Sequence, residues 1–113
     1  MKILVVDDEA DVQTLFQQRF RREIRNGELN LVFATNGFDA SAALNQNGQD
    51  IQLVVSDINM PSMSGLYLLK QIKMFEGSPT PNVVMVTAYG DEENRERCKY
   101  LGADDFLPKP LDL

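Results

Sequence analysis

Short apolar runs rich in β-branched residues alternate along the chain with longer stretches in which apolar residues recur every three or four positions. The short runs are typical of buried parallel strands, and the longer period is typical of helices packed on a sheet. Asn-Gly pairs, glycines and prolines separate the stretches, as turns and helix ends require. Strands are predicted at residues 3–6, 29–35, 51–56, 83–87 and 104–107, and helices at 11–24, around 40–44, 66–75 and 91–101.

The order of these elements is a strand and a helix repeated four times, followed by a fifth strand. This order predicts an α/β domain with a parallel sheet, helices on both faces and right-handed crossovers. Ligands of such domains bind beyond the carboxyl ends of the strands, where the strand order reverses. The helix at 91–101 has almost no apolar stripe, so we expect it to be weakly anchored.

Composition narrows the possible functions. The 113 residues fit one domain, and 17 acidic against 11 basic side chains give a net charge of −6, which argues against direct nucleic-acid binding. No apolar run approaches the roughly 20 residues of a membrane span, and no signal-peptide core is present. The single cysteine, Cys98, cannot form an internal disulfide, so we expect a cytoplasmic protein in which Cys98 packs in the core. The absence of histidine excludes Ser-His-Asp and Cys-His nucleophiles and histidine-based zinc sites.

Chemically active side chains follow the predicted strands at their carboxyl ends. Asp7 and Asp8 follow the first strand, Asp57 follows the third, Thr87 ends the fourth, and Lys109 comes shortly after the fifth. Because the carboxyl ends of parallel strands lie at one edge of the sheet, we expect these side chains to meet in one crevice.

Such a crevice would favour a hard divalent cation. Clustered carboxylates repel one another, and oxygen ligands without histidine or thiolate indicate Mg²⁺ or Mn²⁺ rather than zinc. Such an ion usually completes its shell with water and phosphate oxygens, for which Lys109 and Thr87 would form a clamp. Asp57, the most isolated of the carboxylates, would be a nucleophile that carries a phosphoryl group.

Four motifs extend these observations over nearly the whole chain. They are Ile-Leu-Val-Val-Asp-Asp-Glu at 3–9, Asp-x-x-Met-Pro-x-Met-x-Gly at 57–65, Thr-Ala-Tyr at 87–89 and Gly-Ala-Asp-Asp-Phe-Leu-x-Lys-Pro at 102–110. Together they resemble the receiver domain of two-component response regulators. The resemblance implies a flavodoxin-like, doubly wound parallel sheet of five strands in the order 2-1-3-4-5, and a signalling switch operated by phosphorylation.

The resemblance also implies a role for each matching residue. Asp57 would accept the phosphoryl group from a sensor histidine kinase or a phosphotransfer protein. Asp8 and Asp57 would bind Mg²⁺ directly, and Asp7 would bind it largely through water. Thr87 would donate a hydrogen bond to the phosphoryl group, and Lys109 would neutralise its charge.

Four further residues take roles from the same resemblance. The backbone carbonyl of Asn59 would add a metal ligand, and Phe106 would be the switch aromatic that turns inward when Thr87 moves. Asn59 and Tyr89 would flank the attacking water and set the lifetime of the phosphoryl group. Pro110 would follow a cis peptide bond, which is energetically accessible only before proline.

Residues 1–113 are therefore predicted to form a single receiver domain whose fifth helix is missing or truncated. The resemblance places an output domain after that helix in the full protein. Without the helix, one face of the sheet would lose part of its cover, and a homodimer is one way to restore it. Leu111 and Leu113 would then pack at that contact.

Three other functions compete with the switch. A receiver-like scaffold that is never phosphorylated remains open, although no expected site residue is missing. An aspartyl-phosphate phosphatase would need a second aspartate where Asn59 stands, and an amide cannot supply the proton. A nucleotide or flavin domain would carry a glycine-rich loop after the first strand, where Asp7 and Asp8 stand instead.

Overall fold

Five parallel strands form one sheet in the order β2-β1-β3-β4-β5, which confirms the predicted fold class. The computed structural model describes residues 1–47, 50–60, 63–74, 80–88 and 91–113. The order reverses between β1 and β3, so the crevice beyond their carboxyl ends is the ligand position of this fold. The strands are β1 Lys2–Val6, β2 Asn30–Ala34, β3 Ile51–Asp57, β4 Asn82–Thr87 and β5 Asp105–Pro108.

Five helices are present in the described residues, one more than the sequence predicted. They are α1 Ala10–Arg19, α2 Arg21–Arg25, α3 Gly37–Asn47, α4 Gly65–Met74 and α5 Glu92–Tyr100. The prediction of one continuous helix over 11–24 is wrong, because Phe20, with φ −107° and ψ 22°, divides it. The amides of Phe20 and Ile24 nevertheless donate to the carbonyls four residues earlier. The helical spacing of apolar residues therefore continues across Phe20. For this reason the sequence pattern could not reveal the break.

The side chains of alternate strand residues form two cores, one on each face of the sheet. The larger core lies under α3, α4 and α5 and consists of Leu4, Val6, Ala34, Ala40, Ile51, Val54, Ile58, Leu68, Leu69, Ile72, Val83, Met85 and Cys98. The smaller core lies under α1 and α2 and consists of Ile3, Val5, Val12, Phe16, Leu29, Val55 and Val86. Helices on both faces bury both sides of every central strand, as parallel sheets require.

Helix α5 and the segment after β5 pack against different cores. In α5 only Cys98 is buried, as the weak apolar stripe predicted, and its thiol is fully enclosed. Burial raises the pKa of Cys98 to about 11, so this thiol is a core group and not a reactive one. Leu111 and Leu113 pack against the smaller core in a non-helical segment, and Arg19 Nε donates to the Leu113 carbonyl at 2.6 Å.

Two predicted features lie partly or wholly outside the described residues. Phe75, expected to end the helix now seen as α4, is one of them, and so is the first half of the predicted break at 78–81. Among the residues that are described, every helix is too short and too polar to cross a bilayer.

Candidate functional site

The register of the strands brings the predicted residues to one edge. Val6 of β1 pairs with Ser56 of β3, so Asp7 and Asp57, the next residues, lie side by side. Asp57 pairs in turn with Val86 of β4, which places Thr87 one residue further along the same edge. Parallel pairing, which aligns strand ends, therefore assembles a site from residues far apart in sequence.

Three carboxylates form a cluster at this edge. Asp7, Asp8 and Asp57 each offer an oxygen, and these oxygens lie within 4.8 Å of one another. Asp7 and Asp57 are each 4% exposed, whereas Asp8 is exposed to solvent. Oxygen atoms at this separation, two of them shielded from water, form a donor set that could hold a divalent metal ion.

Lys109 is the only cation paired with this cluster in the described part of the chain. Its Nζ donates to Asp57 Oδ2 at 2.7 Å and lies 3.8 Å from both Asp7 Oδ2 and Glu9 Oε1. Burial alone would lower the pKa of Lys109, but the bond to Asp57 and the surrounding carboxylates raise it. The ammonium is therefore held charged against the least exposed carboxylates of the site.

The backbone around Lys109 holds its ammonium in position. The amide of Lys109 donates to the Thr87 carbonyl at 2.9 Å, and β5 pairs with β4 up to Thr87 and Pro108. The peptide bond between Lys109 and Pro110 is cis, as the resemblance implied. The backbone pairing of this segment with β4 thus places the ammonium at Asp57.

Backbone amides bind the inner oxygens of both buried carboxylates. The amide of Glu9 donates to Asp7 Oδ1 at 2.9 Å, and the amide of Asn59 donates to Asp57 Oδ1 at 3.3 Å. Burial raises the pKa of Asp7, and the charge of Asp57 raises it further against the opposing effects of the Glu9 amide and Lys109. Without a metal, the edge is thus electrostatically strained at Asp7.

Thr87 and Phe106 occupy different layers of the same region. Thr87 is 7% exposed at the last position of β4, beside the residue that pairs with Asp57. Phe106 pairs with Met85, two positions back from that edge, and packs half-buried against the larger core. The guanidinium of Arg95 on α5 lies over its ring, 5.1 Å from the centroid. Phe106 therefore contacts the helix next to the site but not the acidic cluster itself.

Two residues that the sequence analysis left without a role support Asp57. Gly65 begins α4, and a Cβ there would overlap the Asp57 carbonyl oxygen and lie 2.8 Å from Ile58 Cα. Its amide donates to the Ile58 carbonyl at 2.7 Å. The hydroxyl of Ser56, 1% exposed, donates to the Asp57 carbonyl at 3.0 Å. Gly65 was visible as part of a motif, whereas Ser56 carries no signal that separates it from an ordinary strand residue.

Asn59 and Tyr89 are the two remaining residues of the predicted site. Asn59 follows Asp57 and Ile58 directly, so its backbone lies at the rim of the cluster. Tyr89 lies outside the described residues, and its predicted effect on the phosphoryl lifetime stays a prediction.

The chain is similar to known proteins over almost its entire length. It is 39% identical over 111 residues to the transcriptional regulator NtrC of Proteus hauseri, covering 98% of this chain and 22% of the relative. It is 34% identical over 111 residues to the transcriptional regulatory protein CpxR of Klebsiella pneumoniae, covering 98% of this chain and 44% of the relative. The chain thus spans less than half the length of the curated relatives it matches.

Structure and family comparisons agree with these relatives. A response regulator receiver domain protein from Clostridium thermocellum superposes with a TM-score of 0.77 at 28% identity, covering 98% of this chain and 83% of that one. The family model of the response regulator receiver domain matches residues 3–113. The chain belongs to the receiver domain family of two-component response regulators.

Proposed function

We propose that this domain is a phosphorylation-operated switch that accepts a phosphoryl group on Asp57 from a phosphohistidine of a sensor kinase or phosphotransfer protein. The observation that carries the proposal is the 2.7 Å bond from Lys109 Nζ to Asp57 Oδ2 within a cluster of three carboxylates. A lysine over one buried aspartate, with further carboxylates beside it, suits phosphoryl transfer to that aspartate.

In the proposed step, a carboxylate oxygen of Asp57 forms a bond to phosphorus while the bond from phosphorus to the histidine nitrogen breaks. The electron pair of the broken bond stays on the departing imidazole. Lys109 holds its charge beside the oxygen atoms that gain negative charge, which stabilises the transition state more than the ground state. Thr87 supplies a hydroxyl donor from the same edge.

The donor set fits Mg²⁺, which when bound would neutralise negative charge on the phosphoryl oxygens. Asp8 and Asp57 would bind it directly, Asp7 through water, and Asn59 through its backbone carbonyl. Burial, together with the charge of Asp57, raises the pKa of Asp7, so the charged form of this carboxylate would gain free energy from a cation at the edge.

We further propose that Thr87 and Phe106 transmit the modification. Thr87 would move toward the phosphoryl group, and Phe106 would turn into the space that it leaves. The position of Phe106 between the larger core and Arg95 supports this role, because its ring contacts α5 through the Arg95 guanidinium. Asn59 and Tyr89 would set how fast water removes the phosphoryl group.

In this proposal the domain turns over no external substrate and acts in the cytoplasm. An output region elsewhere in the same protein would respond to it, which the partial coverage of NtrC and CpxR supports.

Intact-mass spectrometry with acetyl phosphate and Mg²⁺ tests the proposal. One phosphoryl group should be retained by the parent, none by Asp57→Asn, and one by the matched control Asp50→Asn, which alters an exposed aspartate away from the cluster. Lys109→Ala should weaken the response of the output region more than it weakens uptake of the phosphoryl group on Asp57.

Two results would contradict the switch. No uptake under any condition would favour the scaffold that is never phosphorylated. Continuous release of phosphate from an aryl phosphate ester, without a retained phosphoryl group at steady state, would favour a phosphatase.

A further inference from the structure

A groove lies between the first two helices and the outer strand of the sheet, on the side away from Lys109. It has a volume of about 360 Å³. Its floor is formed by Ile24, Leu31 and Phe33, which are all half-buried at the margin of the smaller core. Its rim consists of the polar residues Gln17, Arg21, Arg25 and Asn30. The groove is therefore apolar below and basic above.

The strand that borders this groove has an open edge. β2 is the first strand of the sheet, and its described pairing is to β1. The amide of Asn30 donates to the Met1 carbonyl, and the Ala34 carbonyl accepts from the Asp7 amide, so these residues point toward β1. By the alternation of a strand, the N–H and C=O groups of Leu31 and Phe33 point outward. Such an edge is a template for another extended segment.

The charges on the rim are available for a partner. Within the part of the chain that the structure describes, Arg21 and Arg25 form no ion pair, and both are exposed. They lie four residues apart on α2, so they share one face of the helix above the groove. Because the chain as a whole carries a net charge of −6, this paired basic rim contrasts with the rest of the molecule. The basic rim therefore attracts an acidic segment, whereas the net negative charge of the rest of the chain repels it.

We propose that β2 and the groove bind an extended acidic segment of a partner protein, which adds a sixth strand to the sheet. Residues i and i+2 of a strand are about 6.6 Å apart, close to the spacing of side chains four apart on a helix. Carboxylates at alternate positions of the segment therefore match Arg21 and Arg25. Glutamate fits better than aspartate, because its longer stem can lie on Phe33 and Leu31.

This surface lies at the opposite edge of the sheet from β5, and the groove is lined by no residue of the acidic cluster. Backbone pairing with Leu31 and Phe33 would supply affinity, and the arginine pair would select the charge pattern.

The probe is the blocked peptide Glu-Val-Glu-Val-Glu, titrated into the full 113-residue chain labelled with ¹⁵N. We expect the amide signals of Leu31 and Phe33 to shift as the peptide binds. The double variant Arg21→Gln/Arg25→Gln should weaken binding by up to about 25-fold, since each exposed ion pair contributes up to about fivefold. The matched control Arg22→Gln, an exposed arginine of the same helix outside the groove, should leave the affinity within about twofold.

Two further peptides make the test independent of the variants. Gln-Val-Gln-Val-Gln should bind up to about 25-fold more weakly, and the acidic peptide N-methylated at every residue should not bind. No shift at Leu31 and Phe33, equal binding of the N-methylated peptide, or equal binding to the double variant would each overturn the proposal. Shifts of the same signals on concentrating the protein alone would overturn it in favour of a second copy of this chain.

Discussion

The acidic edge of the sheet and the larger core show opposite uses of burial. In the larger core, apolar side chains such as Leu4, Leu69 and Met85 are fully enclosed, so their burial stabilises the fold. At the edge, Asp7 and Asp57 are almost as deeply buried, but they are carboxylates, and burial destabilises their charged forms. Burial in the larger core therefore stabilises the folded state, whereas burial of charged carboxylates at the edge destabilises it. In the proposed function, a bound cation would relieve this electrostatic strain at the edge.

The largest effect should come from the core. Leu69→Ala removes a fully buried side chain and should lower the free energy of unfolding by about 2–5 kcal/mol in urea denaturation. Met74→Ala, on the same helix but 66% exposed, should change it by less than about 0.5 kcal/mol. The milder Ile72→Val should cost about 1 kcal/mol and should still take up phosphate on Asp57. A core variant that stays folded and loses uptake would show that the two regions are not separable.

The second effect should come from a cation at the edge. Mg²⁺ at about 100 times its dissociation constant should add about 2.7 kcal/mol to the stability, measured as a rise in the thermal midpoint. Asp8→Asn should raise the midpoint of the metal-free protein slightly and remove the response to Mg²⁺. Asp112→Asn, which changes an exposed carboxylate outside the cluster, should keep the full response. A midpoint indifferent to millimolar Mg²⁺ would contradict the metal assignment.

The strands and the residues at their ends could be predicted from the sequence, whereas close approaches between distant segments could not. All five strands were predicted because buried parallel strands require short apolar runs, and their order of occurrence brought the edge residues together. The support that Gly65 gives Asp57 could not be predicted, because it depends on how closely α4 approaches the end of β3. The groove beside β2 was also missed, since Arg21 and Arg25 read along the chain as ordinary solvated charges.

The third effect concerns pH. Burial, together with the charge of Asp57, raises the pKa of Asp7 above its usual 3.8. The folded state therefore binds a proton at Asp7 more tightly than the unfolded state does. The associated stability is present below pH 3.8 and is lost as the pH rises through the raised pKa. Asp7→Asn should thus be more stable than the parent at pH 7 without metal, by on the order of 1 kcal/mol. The difference should shrink as the pH falls through the raised pKa toward 3.8.

Asp104 provides the matched control of opposite sign. Burial alone would raise its pKa, but the Lys73 ammonium at 2.8 Å and the Val83 amide at 2.7 Å lower it. Its contribution is present above pH 3.8 and is lost as the pH falls through the lowered pKa. Asp104→Asn should therefore be less stable than the parent at pH 7, and denaturation series at several pH values measure both variants. If Asp7→Asn and Asp104→Asn changed the free energy of unfolding in the same direction at pH 7, the contrast between the acidic edge and the rest of the fold would be contradicted.

The smallest effect should arise where the core and the switch meet, at the contact of Arg95 with Phe106. An exposed cation over an aromatic ring contributes about 0.5–1 kcal/mol, so a double-mutant cycle of Arg95→Met and Phe106→Leu should give a coupling energy of that size. Arg97→Met, whose guanidinium pairs with the exposed Glu93 of the same helix, should show no coupling to Phe106.

If Phe106 turns inward on phosphorylation, its contact with Arg95 must break, and the free energy of that contact opposes the active state. Removing it shifts the equilibrium toward the active state by the same amount. Arg95→Met should therefore bind beryllofluoride with Mg²⁺ up to about fivefold more tightly than the parent, because about 1 kcal/mol corresponds to that ratio. Unchanged or weaker binding in Arg95→Met, with normal binding in Arg97→Met, would show that the ring keeps its place when Asp57 is modified.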